Sequence, residues 1–148
     1  MIFLRYWKNI RQSCRLAAFG GAAYGLIEIL WRGRTHWSML LTGGFCFALL
    51  HRLYQRHLSL RLFKRCLLGS LVITSCEFVC GMLVNRRLKL GVWDYSNRRF
   101  NIKGQICPLY SALWALLCLP VSALSDAIAR RADKRKQAEG ESEETLSA

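Results

Sequence analysis

An all-α fold, a polytopic transmembrane helical bundle of about four spans with a basic amphipathic helix at its N-terminus, is what this chain of 148 residues predicts. Three observations carry that prediction. The chain is 53% hydrophobic, with a mean hydropathy of +0.16, yet its formal net charge is +13. Its apolar residues come in long runs, and its 22 lysines and arginines cluster between those runs. Acidic residues are nearly absent from the body: Glu28, Glu77, Asp94 and Asp126 precede Asp133, and the rest crowd the C-terminus. A soluble domain this apolar would cover its core with mixed charge. A nucleic-acid binder, the other natural home for so basic a chain, has no use for apolar runs of membrane length. The lipid bilayer is therefore the expected partner, and nucleic acid is not.

The length allows one domain. Residues 1–15 form a helix-compatible stretch in which Phe3, Tyr6, Trp7, Ile10 and Cys14 share one side and Arg5, Lys8, Gln12 and Arg15 the other. Such a helix suits the headgroup layer, either alone or as a cytoplasmic extension of the first span. A cleaved signal peptide is not expected, because the apolar run that follows holds Glu28 and ends in Trp31-Arg32 with no small-residue cleavage site. The transmembrane domain, 16–128, holds spans at about 16–31, 37–50, 66–85 and 106–125. The last two approach the ~20 residues a hydrocarbon layer requires. The first two are shorter, and segment 37–50 has a half-membrane hairpin as its rival. From 129 to 148 the chain is polar and charged, which predicts an unstructured cytoplasmic tail.

Charge placement sets the expected orientation. Fourteen Lys and Arg fall in 1–15, 51–65 and 129–136, the segments on the side of both termini, against eight in the two opposite loops. The positive-inside rule then places both termini in the cytoplasm of a bacterial plasma membrane. The seven cysteines (14, 46, 66, 76, 80, 107 and 118) are odd in number, lie in or beside apolar runs and show no metal or redox spacing. They read as small buried hydrophobes. His36, His51 and His57 are scattered, so no metal site is expected. Nucleotide-binding P-loop, serine-hydrolase and metalloprotease motifs are absent, so the chain reads as a non-enzyme without a cofactor.

Intramembrane carboxylates are the first candidates for function, because burying an ionised group in hydrocarbon is costly. Gly21, Gly25, Glu28 and Arg32 share a stripe of the first span, and Ser70, Thr74, Glu77 and Gly81 share one of the third. Both have the spacing i, i+4, i+7, i+11. Small residues let helices approach and polar ones bond across the contact. The two stripes are expected to meet, bringing Glu28 and Glu77 to one polar site for a cation or proton. Against this, Arg32 could satisfy Glu28 locally, and Glu77 could serve only to join helices. The loop 86–105 is dense in aromatic and hydrogen-bonding residues: Trp93, Asp94, Tyr95, Asn97, Phe100, Asn101 and Gln105. It is expected to fold over the outer mouth of the bundle, or else to anchor at the interface. His36 and Trp37 join Trp93, Asp94, Tyr95, Asn101 and Gln105 as a candidate loop site, with an interface anchor the favoured reading of Trp37.

The strings YGLIEILWRGRTHWSMLLTGG (24–44), ITSCEFVCGMLVN (73–85) and GVWDYSNRRFNIKGQIC (91–107) resemble the CmpB-like family of small bacterial membrane proteins called Putative ABC-transporter type IV, over roughly residues 20–125. The block running from Trp93 to Cys107 is the specific part. The resemblance implies four to five spans and a permease-like transport role with a separate ATPase subunit. It singles out Glu28, Arg32, Gly33, His36, Trp37, Gly43, Gly44, Glu77, Asn85, Trp93, Asp94, Tyr95, Phe100, Asn101, Gly104 and Gln105. The pair Arg98-Arg99 and the acidic tail depart from the pattern without touching the carboxylates. A transport component, needing to homo-oligomerise to enclose a pathway, is thus the first expectation. A non-transporting assembly protein held by polar stripes is the second. An intramembrane enzyme using Glu77 and Asp94 as acid and base is the third.

Overall fold

The computed structural model describes residues 2–147, with side chains described over 10–135 and at 137 and 138. It is a bundle of four helices: α1 (Ile2–Arg32), α2 (Trp37–Arg56), α3 (Leu62–Gly81) and α4 (Pro108–Ser147). A π-helical turn, Met82–Arg87, prolongs α3. Short links at 33–36 and 57–61 force antiparallel neighbours. α1 lies along α2 and α3 along α4, while α2 also touches α3 and α4. The core is Cys46, Leu50, Tyr54, Cys66, Ile73 and Cys118, contributed by α2, α3 and α4.

Local sequence explains the helix ends. Gly33 adopts φ 70°, the left-handed stop that a side chain would strain, and its N–H donates to Ile29 O at 2.8 Å. Three residues on, His36 caps α2: extended at φ −135°, it accepts from Ser38 N at 3.3 Å. Pro108 opens α4, where its missing N–H costs no hydrogen bond.

Among the described residues, three helices are long and apolar enough to cross a membrane, at Ile10–Arg32, Leu62–Arg87 and Pro108–Arg135. The expected four spans are thus three by this measure. α2 is 20 residues long, but its apolar 37–50 stretch is followed at once by His51 and Arg52. The outward surfaces are apolar: Leu30, Phe63, Leu71, Val79 and Leu116 are all exposed, as a lipid-facing surface requires.

No break separates residues 2–15 from the first span: α1 is one helix through Arg32, the extension that is one of the two arrangements expected. The amphipathic face read from residues 2–9 lies outside the described side chains. α4, however, continues to Ser147 where an unstructured tail is expected from 129. Its extension is rich in Ala, Lys, Arg and Glu, all strong helix formers, and it propagates from a helix already nucleated.

The glycine stripe of α1 does bring helices together, but the partner is α2. A Cβ on Gly21 would sit 2.5 Å from Leu40 O, and one on Gly25 would strike the Leu40 side chain. From the other side, a Cβ on Gly44 would strike the Ala17 backbone. The Ser70, Thr74, Glu77 stripe of α3 turns instead to α4. Ser70 donates to Ser111 O at 2.6 Å and Thr74 to Ser111 Oγ at 3.0 Å. The two stripes therefore do not meet.

Candidate functional site

The carboxylates of the two membrane-length helices that carry them are buried, Glu28 at 6% exposure and Glu77 at 3%. Glu28 has its needs met on its own segment. Its Oε1 accepts from Arg32 Nη2 at 2.5 Å and its Oε2 from Thr35 Oγ1 at 2.9 Å. Glu77 accepts from Trp114 Nε1 at 2.6 Å through Oε2. No hydrogen bond joins the two carboxylates among the described residues.

What lies between them is aromatic. Tyr95 stacks on Tyr110 with centroids 4.3 Å apart and planes 17° apart. Tyr110 meets Trp114 at 6.4 Å, and Trp114 meets Tyr24 at 5.9 Å. This ladder runs from the loop before α4, across α4, to α1. It divides a crevice between α1 and α4 into two adjoining parts that share Tyr24, Ile27 and Leu117. The outer part, about 200 Å³, is walled by Glu28, Arg32, Tyr95 and Tyr110. The inner part, about 230 Å³, reaches past Glu77 to Phe19, Phe47, Pro120 and Leu124.

The loop folds back onto the end of α3, and Asn85 on the π turn organises it. Its Nδ2 donates to Trp93 O and to Gln105 Oε1, each at 2.9 Å, and its Oδ1 accepts from Val92 N at 2.7 Å. Trp93 Nε1 donates to Gln105 O at 3.1 Å, and both residues are buried. Gly81, read as a helix-packing residue, instead leaves room for this loop: a Cβ there would strike Gln105 Oε1 and come within 3.0 Å of Trp93. Asn85→Ala removes three hydrogen bonds at once and leaves buried partners unmatched, at about 1–3 kcal/mol for the first such group. Amide exchange at Val92 and Gln105 is expected to quicken at least tenfold while that of α3 holds; unchanged loop protection would show that Asn85 is not its organiser.

The rest of the predicted loop site serves the turn itself. Ser96 donates to exposed Asp94 Oδ1 from Oγ at 2.5 Å and from its backbone N at 2.9 Å, holding that carboxyl below the usual range. Asn101 donates to Ser96 O and Arg98 O, and accepts from Gly104 N. Gly104, at φ 69°, sits where a Cβ would collide with Ser96 and Asp94. Asp94 is thus bound up in its own turn, away from the buried carboxylates, which removes the acid/base pairing of Glu77 with Asp94. Of the loop, only Tyr95 reaches the crevice; burial, then Glu77, pushes its phenol well above the ordinary value. His36 shares a 2.8 Å hydrogen bond with Ser38 Oγ as a helix cap, and Trp37 packs at 5.2 Å on its ring, apart from the loop.

Sequence reasoning missed a second polar cluster at the opposite end of the bundle. Arg65, counted in sequence as one more basic flanking residue, is buried inside α3. Its Nη1 donates to Asp126 Oδ1 and Oδ2 at 3.0 Å and to Ser122 Oγ at 3.1 Å, and its guanidinium lies 5.5 Å from the Tyr54 ring. Beside it, His51 Nδ1 pairs with Ser125 Oγ at 2.8 Å. The available signal was Asp126 itself, an acid at the end of an apolar run four residues after Ser122. All seven cysteines are free, and among the described residues no cluster of His, Cys, Asp or Glu has the arrangement to hold a metal.

The family model described as Putative ABC-transporter type IV matches residues 21–139. The chain belongs to this family. The matched stretch contains both carboxylates, the loop, the aromatic ladder and the Arg65 cluster, so all of this architecture falls within the family's domain. Family membership and three membrane-length helices make this a membrane, transport-related protein. No curated protein and no solved structure matches the chain.

Proposed function

We propose that this protein is the membrane-embedded, permease-like component of a transport system, with Glu77 and Glu28 on a shared crevice as its polar site. The observation that carries the reading is the crevice itself. α1 and α4 leave a gap rather than packing tightly, and two buried carboxylates and an aromatic ladder border it. A protein whose carboxylates only joined helices would have no use for such a gap. Having no nucleotide-binding motif, the chain would draw energy from a separate ATPase, and its four thin helices would enclose a pathway as a homo-oligomer. The start of α1 and the end of α4 lie at the Arg65 end of the antiparallel bundle, the end richest in Lys and Arg, which favours that end as cytoplasmic. The role is binding and passage, without catalysis.

Glu77→Gln tests this, because the amide can still accept from Trp114 while the charge is gone. At normal membrane abundance it is expected to fail to complement a deletion of the gene, and to lower ATP hydrolysis by the complex isolated on the tagged chain at least tenfold. Full complementation would remove the carboxylate from the mechanism and leave the packing role.

A further inference from the structure

The lining of the crevice is divided by chemistry along its length. The inner part is almost wholly apolar, and its volume of about 230 Å³ exceeds the ~150 Å³ of an apolar cavity that admits a benzene ring. The outer part is lined mainly by aromatic and aliphatic side chains, with Glu28 and Arg32 as its charged members. Tyr24, Tyr95 and Tyr110 line it, and none of their hydroxyls has a hydrogen bond among the described residues. Glu77 Oε1 likewise has no donor, since Trp114 binds the other oxygen. Arg32, by contrast, is held by Glu28, so the crevice offers no free cation.

We propose that this crevice binds a single-chain amphiphile with an uncharged, hydroxyl-bearing head. The apolar chain lies in the inner part, between Phe19 and Leu117, and the head sits where the two parts join at Tyr24, between Glu77 of the inner part and Tyr95 and Tyr110 of the outer. The assignment follows from what the unmatched groups need. Each phenol needs an acceptor, and Glu77 Oε1 needs a donor. A hydroxyl supplies both. A phosphate head supplies acceptors but no donor for the carboxylate, and it would face two carboxylates against one guanidinium. An ammonium supplies donors but no acceptor for the phenols. Flat aromatic rings beside a carboxylate also suit the apolar faces and rim hydroxyls of a polyol or sugar. This deepens the transport reading by naming its substrate class, and it rests on the same crevice.

The test uses the full chain in phosphatidylcholine nanodiscs with a diazirine-bearing monoacylglycerol as probe. Saturable labelling is expected at Leu113, Leu117 and Leu124, displaced at least tenfold better by unlabelled monoacylglycerol than by a single-chain phosphate or alkylammonium of equal length. Tyr95→Phe with Tyr110→Phe, which keeps both rings, is expected to weaken binding at least tenfold. Leu117→Trp is expected to abolish it by filling the crevice, and the tyrosine pair stands as the test if that variant does not fold. Labelling there as unsaturable as at lipid-facing Leu71 and Phe45 would overturn the proposal, as would equal displacement by the phosphate. Labelling requires no ATPase, so its failure leaves the Glu77→Gln result standing, and a transport failure leaves the labelling intact.

Discussion

Asp126→Leu is expected to destabilise this protein by about 3–4 kcal/mol, more than Arg65→Met does, while the double variant stands close to the parent. The asymmetry follows from exposure. The Arg65 side chain is 7% exposed and that of Asp126 31%. Without Asp126, a guanidinium that cannot lose its proton stays buried with only Ser122 Oγ and Leu58 O for its donors. Without Arg65, the carboxylate can turn to water or keep Gln55, whose Nε2 lies 3.5 Å away, so about 2 kcal/mol is expected after allowing for that exposure. Replacing both by apolar groups removes two desolvation penalties along with their attraction. Unfolding midpoints in micelles would check it; additive losses in the double variant would show that the pair stabilises outright.

Gly44→Val is expected to cost about 3 kcal/mol, at the upper end of overpacking effects. The obstacle is backbone rather than side chain: the new Cβ would strike Ala17 O and approach its carbonyl carbon to 3.1 Å. No rotamer change relieves that, so α1 and α2 must separate along the contact that Gly21 also needs. Gly33→Ala offers the contrast. Nothing lies within 4 Å of a Cβ there, so only the positive φ opposes it, at about 1 kcal/mol. Thermal unfolding of the two variants side by side would decide; equal losses would mean that close approach of the helices is not what Gly44 provides.

Apolar runs and their flanking charges were enough to find the helices, because membrane length leaves a mark that survives without any tertiary knowledge. Pairing left no such mark. Periodicity shows that Gly21, Gly25 and Glu28 share a face, and that Ser70, Thr74 and Glu77 share another, but a stripe does not name its partner. The four-residue link after Arg32 made α2 the natural neighbour of α1, and Gly43-Gly44 on α2 was the matching small-residue surface. For the same reason Gly81, on the right face for a helix contact, turned out to admit a loop. Arg65 was hidden by its company, one basic residue among five in 51–65, and only the fold shows that it points inward. The crevice was illegible for a different reason: it is a place where two helices fail to pack, and nothing in one helix's sequence records the absence of another.

The short apolar stretch of α2 has a consequence for how the protein is made. A segment ending in His51, Arg52 and Arg56 partitions poorly into lipid by itself, and α1, though long and apolar enough to span, carries Glu28 and Arg32 at its far end. Joined by four residues and fitted together at Gly21 and Gly44, the two can hide backbone and polar groups against each other. They are suited to leave the insertion machinery as one hairpin, so that the contact which holds the mature bundle also decides whether its first half reaches the membrane.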